Sequence, residues 1–353
     1  MNDLLVVKAP LRISLVGGGT DIKNFYTKEN GSVFSAAINK YVYIIIKKYH
    51  DQSKCILKYS NSENVNNLNQ IKHPLIRNSL RTTKIWGVDI HSIADIPGGT
   101  GLGSSSSFTV ALLHALNAYK GKNLSKPMLA KKACHVEIDL SKSPIGKQDQ
   151  YAASFGGINT FIFKKNGNVK VKKFINEKAV KTLYDNLILI NTGIIKKNEL
   201  ILKDQIKNIS SGGKYFSNLK LINNSVEVFK KSLIKNDIKL CGEILDENWK
   251  RKITLSKKIR NQLIDEIYKE AINKSAETFL SNGGLVDASM ISLGHGSKIR
   301  LWDYFGPSYN CISRERVGKI GDGGKWLCGV RTVLPQKNPC VVYSIGSKGE
   351  VSF

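Results

Sequence analysis

The sharpest chemical feature of the sequence is the run Pro97-Gly-Gly-Thr-Gly-Leu-Gly-Ser-Ser-Ser-Ser107. Its glycines let the backbone approach a ligand closely. Its N–H groups collect just ahead of Phe108 to Tyr119, which is apolar at helical spacing, so they form an anion cradle at the positive end of a helix dipole. The serine hydroxyls add donors for phosphate oxygens and a ligand for magnesium. A flexible Gly/Ser turn is the bland alternative, and the position directly before a helix argues against it. The run is neither GxxxxGK(S/T) nor GxGxxG, so it supports neither a P-loop nor a dinucleotide fingerprint. A second feature is Gly146-Lys-Gln-Asp-Gln150, where Asp149 in a Gly-flanked turn suits a general base that receives a hydroxyl proton. On its own that Asp is weak evidence, since an Asp in a Gly-containing loop is more often a turn former. Glu137, between Val136 and Ile138, reads alone as a surface or capping charge. The fourth string, Pro10-Leu-Arg-Ile-Ser-Leu-Val-Gly-Gly-Gly-Thr-Asp21, is a strand carrying Arg12 into a glycine turn that ends in Asp21.

Positioning these groups takes alternating strands and helices. Leu4 to Val16, Ser32 to Lys47 and Val88 to Ile93 read as strands, and Phe108 to Tyr119 and Met128 to Leu140 as helices. Asn159 to Phe163, Val169 to Phe174 and Asn186 to Asn191 read as further short strands, and Ile201 to about Ala276 is mainly helical and heavily charged. A soft boundary falls near residue 185. From about Glu277 lysine thins out and glycine becomes dense, as in Gly283-Gly284 and Gly323-Gly324.

Composition narrows the class. The 353 residues are 41% hydrophobic and 23% charged, which is globular and excludes a disordered, collagen-like or disulfide-stapled chain. The best apolar run, Tyr41 to Ile46, is strand-sized, and no leader is evident at Asp3 to Val7, so no membrane role and a cytoplasmic location are expected. The net charge of +26 comes from 54 Lys and Arg against 28 Asp and Glu, spread along the chain without interleaved aromatics or a nucleic-acid-binding signature. It reads as a solvated cationic surface that steers anionic ligands, with no specific nucleic-acid partner. Cys55, Cys134, Cys241, Cys311, Cys328 and Cys340 form no CxxC pair and share no metal spacing with the six histidines, so reduced structural thiols are expected.

Taken together and in this order, the four strings resemble the GHMP kinase superfamily, most strongly its D-glycero-D-manno-heptose 7-phosphate kinase branch. The likeness rests on residues 9–21, Ser35-Ala-Ala-Ile-Asn-Lys-Tyr41, His73-Pro-Leu-Ile-Arg77, Asp95 to Phe108 and Pro144 to Tyr151, and it spans roughly residues 3–275. It implies an α+β, two-domain fold with an N-terminal ATP-binding domain at 1–185 and a mainly helical second domain at 186–280. The cofactors implied are ATP and Mg2+, and the partner is a small-molecule sugar phosphate. By resemblance, Pro97, Gly98, Gly99, Thr100, Gly101, Leu102, Gly103, Ser104, Ser105, Ser106 and Ser107 hold the ATP phosphates, and one of Ser104 and Ser105, with Ser105 favoured, binds magnesium together with Glu137. Asp149 takes the proton of the sugar's anomeric hydroxyl and Arg12 orients it, while Gly18, Gly19, Thr20 and Asp21 hold sugar hydroxyls. The sugar's own phosphate needs cationic partners, for which Lys147 and Arg77 are the candidates.

The family's third glycine-rich loop has no counterpart after the helix at Ile264 to Lys274, so the second domain reads as incomplete. Instead, Arg316 to Cys328 and Cys340 to Phe353 resemble the opening of a methyltransferase-like domain of the methyltransferase-like protein 24 type, a Gly-rich appendage at 281–353. A doubly wound cofactor domain cannot be built from one strand, so no SAM site is expected. The activity implied is phosphorylation of D-glycero-D-manno-heptose 7-phosphate at its anomeric hydroxyl. The alternatives are a kinase for another sugar or sugar phosphate, and a silent nucleotide- or sugar-phosphate-binding remnant.

Overall fold

Two long strands carry the sheet. β1 (Leu4–Val16) and β2 (Gly31–Lys48) pair antiparallel from Leu4 opposite Lys47 to Val16 opposite Phe34, with the short helix α1 (Lys23–Tyr26) between them. Alternation along β2 sends Val42, Ile44 and Ile46 into the core. The register of β1 slips between Pro10 and Arg12 and again between Ser14 and Val16. Such bulges bend a strand and re-aim its side chains, and Arg12 stands beside the first of them. The coordinates are those of a computed structural model and describe residues 4–190, 198–256, 259–273, 290–292, 314–317 and 325–328.

Two strands and a helix that the sequence pattern did not announce come next. β3 (Cys55–Lys58) and β4 (Ser62–Val65) form a hairpin, and α2 (Pro74–Thr83) starts on a proline and stops at Lys84, whose φ is 53°. β5 (Val88–Ala94) lies parallel to β3 and antiparallel to β2. Then follow α3 (Ser104–Tyr119) and α4 (Lys126–Cys134), the latter widening into a π-helical turn at His135–Leu140. α5 (Gln148–Phe155), β6 (Ile158–Phe163) and β7 (Val169–Lys173) complete this part. The sheet order is β4-β3-β5-β2-β6-β7, with β1 also on β2. Leu112, Leu113 and Leu116 of α3 pack with Ile44, Ile46 and Ile90 of the sheet in the main core.

α6 (Glu177–Asn186) leads to β8 (Ile188–Ile190), and the helices α7 (Asn198–Ser210), α8 (Gly213–Ile234), α9 (Ile238–Thr254) and α10 (Gln262–Asn273) follow. They hold to the sheet by apolar packing. Phe229, Val226 and Cys241 pack with Val16 and Phe34, and Leu219, Ile222, Leu255 and Ile259 pack with Ile22 and Phe25. β8 pairs antiparallel with β9 (Met290–Ser292), so a strand from within the segment 281–353 joins a strand next to residue 185. The chain divides into two compact units, Met1–Ser297 and Lys298–Phe353. In the second, β10 (Arg314–Val317) and β11 (Lys325–Cys328) form an antiparallel pair. Gly283-Gly284, Gly323-Gly324 and the string 340–353 lie outside the described residues. No helix among the described residues is long and apolar enough to cross a membrane.

Candidate active site

Arg12 is the joint of the site. Its Nε donates to Asp149 Oδ1 at 2.8 Å and its Nη2 to Asp149 Oδ2 at 2.7 Å, a two-pronged pair that fixes both position and plane of the carboxylate. Its Nη1 donates to the Gly101 carbonyl at 2.8 Å, and its backbone N–H to the Leu102 carbonyl at 3.0 Å. One side chain thus ties the glycine-rich loop to Asp149. A second chain of bonds backs the carboxylate from the other side. Ser14 Oγ donates to Gln148 Oε1 at 2.7 Å, and Gln148 Nε2 donates to Asp149 Oδ1 at 2.9 Å. Asp149 stands in the first turn of α5, so the Gly-flanked turn expected from sequence is a helix start.

The loop at 97–103 runs into α3, with Gly103 at the N-cap and φ 76°. A Cβ at Gly103 would be strained by that φ and would meet Asp149 Oδ2 at 3.3 Å, so glycine lets the loop lie against the Arg12–Asp149 pair. Ser107 Oγ donates to the Pro10 carbonyl at 2.7 Å, anchoring the helix start on β1. Ser104 is only partly buried at that helix start. Thr100 Oγ1 sits 3.3 Å from the Pro97 carbonyl; Pro97, Gly98 and Gly101 are exposed and Gly99 is partly buried.

Glu137 is fully buried, at 0% exposure, within the π-helical turn. Ser105 Oγ donates to its Oε1 at 2.9 Å and Ser106 Oγ to its Oε2 at 2.7 Å, and the Gln150 amide also donates to Oε2. Burial pushes the Glu137 carboxyl up, and the serine and glutamine bonds oppose that only in part. Among the described residues no cation pairs with it, and none of them form a cluster of three His, Cys, Asp or Glu that could hold a metal. A buried carboxylate that accepts from Ser105 and Ser106 at the start of α3 is a donor set that fits a magnesium ion also held by phosphates. The surface or capping reading of Glu137 is overturned by its burial.

The glycine turn is tied to the same helix. Asp21 accepts from the Gly19 N–H and from the Gln148 N–H, each at 3.1 Å, and burial with the nearby Asp149 charge raises its carboxyl. A Cβ at Gly146 would lie 1.9 Å from Asp21 Oδ2, so that glycine is required by the close approach. Thr20 has a structural task here. It is fully buried, and its hydroxyl donates to the Gly17 and Ser32 carbonyls and accepts from the Ser32 N–H.

The two cations expected to meet a substrate phosphate are otherwise engaged. Lys147 Nζ donates to the Gly167 carbonyl at 2.7 Å and stands over the Tyr26 ring, lining a cavity of about 520 Å³ with Asp21, Tyr26, Lys131 and Tyr151. Arg77 stays on α2 and donates to the Ile71 carbonyl at 2.9 Å. Sequence reasoning missed a third cation, Lys252 of α9. A Cβ built on Gly18 would lie 3.5 Å from Lys252 Nζ, and the charges of Arg12, Asp21 and Asp149 all act on it. Burial and Arg12 push its ammonium down, while the two carboxylates oppose this. Within Trp249-Lys-Arg-Lys252 it reads as one more solvated lysine. The signal was helical spacing: Cys241, Leu245, Asn248 and Lys252 share one face of α9, and Cys241 and Asn248 are buried.

A glycine-rich loop bound through one arginine to a carboxylate, with a second, buried carboxylate facing two serines of the loop, is the arrangement of a phosphotransferase, and the chain is similar to the GHMP kinases. Residues 70–157 match the model of the GHMP kinases N terminal domain. The chain is 28% identical over 290 residues to the D-glycero-alpha-D-manno-heptose 7-phosphate kinase of Campylobacter jejuni, covering 78% of this chain and 85% of that one. It is 34% identical over 172 residues to the galactokinase of Pyrococcus furiosus, covering 45% of this chain and 46% of that protein. A D-glycero-D-manno-heptose 1-phosphate kinase structure from Bacteroides thetaiotaomicron superposes with a TM-score of 0.58 at 25% identity, covering 70% and 79% of the two chains. A second model, a methyltransferase domain, matches residues 242–353. That match begins inside α9, yet Ile244 and Leu245 pack with Val16 and Phe34, and Ile253 and Leu255 pack with Ile22 and Phe25. The opening of the methyltransferase match is therefore built into the core shared with the kinase strands.

Proposed function

We propose that this kinase transfers the γ-phosphoryl group of ATP to the anomeric hydroxyl of D-glycero-D-manno-heptose 7-phosphate, giving the 1,7-bisphosphate and ADP. The observation that carries the reading is Arg12, which grips both oxygens of Asp149 and the Gly101 carbonyl at once. Base and phosphate cradle are thereby one pre-organised unit, which is where phosphoryl transfer draws most of its rate. The choice of a heptose is supported by the likeness to the Campylobacter jejuni kinase and to the Bacteroides structure, and the 7-phosphate by the Campylobacter jejuni kinase.

In this scheme the N–H groups of 97–103 and the α3 start receive the ATP phosphates, with the serines as further donors. Magnesium would be held by Ser105 and Glu137 and would offset charge on the phosphates. Asp149 takes the proton as the anomeric oxygen bonds to the γ-phosphorus and the bond to the ADP oxygen breaks. Arg12 keeps the receiving oxygens aimed and offsets charge that builds beside them. Asp21, fixed by two backbone N–H groups, presents its remaining lone pairs to sugar hydroxyls over the Gly18–Gly19 turn. The test is a panel of heptoses and hexoses, free and phosphorylated, with the product read by phosphorus NMR. A new anomeric phosphate on heptose 7-phosphate, formed faster than on the other sugars, is expected. A better turnover of an unphosphorylated sugar would refute the substrate.

A further inference from the structure

We propose that Lys252, on α9, binds the phosphate that the acceptor sugar already carries, and so sets the preference for a phosphorylated over an unphosphorylated sugar. The inference rests on the sugar-phosphate reading above and assigns its missing cation. Any acceptor phosphate is a dianion near neutral pH and needs charged donors where it docks.

The cations around the site can be sorted by what they already hold. Arg12 is occupied by Asp149 and Gly101. Lys147 is turned to Gly167 and Tyr26, and Arg77 to Ile71. Lys252 differs from all three. Among the described residues its ammonium has neither a hydrogen bond nor an ion pair, although it is only partly exposed and stands directly over Gly18. A partly buried, unpartnered ammonium is costly unless a ligand supplies the counter-charge. The turn it overhangs is the one that leads to Asp21, and Asp149 is within reach of its charge, so an anion there would sit on the acceptor side of the base. The alternative anion is the ATP phosphate chain. That chain belongs to the loop at 97–103 and the Glu137 side, and Glu137 is not among the charges acting on Lys252.

The position is held firmly. Trp249 and Ile253 of α9, and Leu255 just after it, pack with Ile22 and Phe25 just after the glycine turn, which fixes the start of Lys252 against that turn.

The experiment compares D-glycero-D-manno-heptose 7-phosphate with the unphosphorylated heptose on the full-length chain, as wild type, Lys252→Met, Lys252→Arg and Lys147→Ala. Methionine keeps the apolar stem, and a thermal melt checks each fold. Loss of one charged phosphate contact predicts for Lys252→Met a KM for the 7-phosphate raised about tenfold or more. The kcat and the KM for the free heptose should stay within about threefold, the scatter expected of a context-dependent contact. Lys252→Arg should recover part of the loss, and Lys147→Ala should leave the preference in place. Calorimetric binding of the same two sugars, with a non-hydrolysable ATP analogue present, gives the same comparison without turnover. If the wild type prefers the phosphorylated sugar and Lys252→Met keeps that preference, the assignment of Lys252 is wrong and the substrate class stands. An equal loss on both sugars, or a loss in kcat alone, also overturns it. A wild type with no preference for the phosphate refutes the substrate class itself.

Discussion

The site has two halves that are built differently. The sheet half, from β1, the 97–103 loop, the π-helical turn and α5, is stitched by polar bonds: Arg12 to Asp149 and Gly101, Ser14 to Gln148, and three donors to Glu137. The helical half reaches the site through apolar packing, with Phe229 against Phe34 and Leu219 near Gly19, and brings Lys252 close to Gly18. The contrast divides the labour. On the proposed reading, groups that hold a fixed geometry during bond exchange are cross-linked on the sheet, and the helices supply a wall and the charge of Lys252 for recognition. Changes in the sheet half should therefore register in rate, and changes in the helical wall in stability.

The largest test of that division is Phe229→Ala. Phe229 is fully buried, and its truncation should cost about 3–5 kcal/mol of unfolding free energy in denaturant melts. The KM for ATP of the molecules that stay folded should be unchanged; a raised KM with normal stability would break the comparison. Next is Arg12→Lys, which keeps the charge and removes the fork. We expect kcat to fall about 100-fold, near 2.7 kcal/mol, with an unaltered melt. Full activity would mean the two-pronged grip on Asp149 is not what positions the base. Gly146→Ala comes third. A methyl 1.9 Å from Asp21 Oδ2 must displace one of them, for about 1–3 kcal/mol in stability, and it should also raise the sugar KM because Asp21 moves. An unchanged sugar KM would take Asp21 out of the acceptor site. Smallest is Glu137→Gln. Burial raises the Glu137 carboxyl, so an amide of the same shape should leave the melting temperature equal or higher. The magnesium concentration for half-maximal rate should rise about tenfold or more. A large drop in stability with normal magnesium dependence would make Glu137 a structural group.

Much of the sheet half was legible in the sequence. β1, β2, β5 and α3 follow from alternation and spacing, and the glycine-serine run sits where a strand meets a helix, as its chemistry requires. What was not legible depends on distant partners. β3 and β4 are four residues each, too short to show a period, and β3 is fixed by lying parallel to β5 some thirty residues on. Met128 to Leu140 read as one regular helix, but after Cys134 it widens to a π turn that brings Glu137 inward onto Ser105 and Ser106. Lys252 was hidden by company, one lysine in a basic run. Only the burial of Cys241 and Asn248 on its face of α9 marks it as inward. Thr20 was read for its hydroxyl, which the turn itself consumes.

The methyltransferase match falls on the same divide. Its described opening, α9, takes part in the apolar wall and carries Lys252, so for residues 242–256 packing partners speak for the kinase. The β10–β11 pair belongs to the other compact unit and carries none of the site residues.

The central claim is that Asp149, held by Arg12 beside the glycine loop, is the base of a sugar-phosphate kinase. The most direct measurement is ADP release by the purified full-length chain with ATP, magnesium and D-glycero-D-manno-heptose 7-phosphate, beside Asp149→Asn. The account predicts sugar-dependent release that falls about 100-fold or more in the variant, with its fold retained. Equal release by both proteins would contradict it, as would a folded wild type that binds ATP and the sugar phosphate without turning them over.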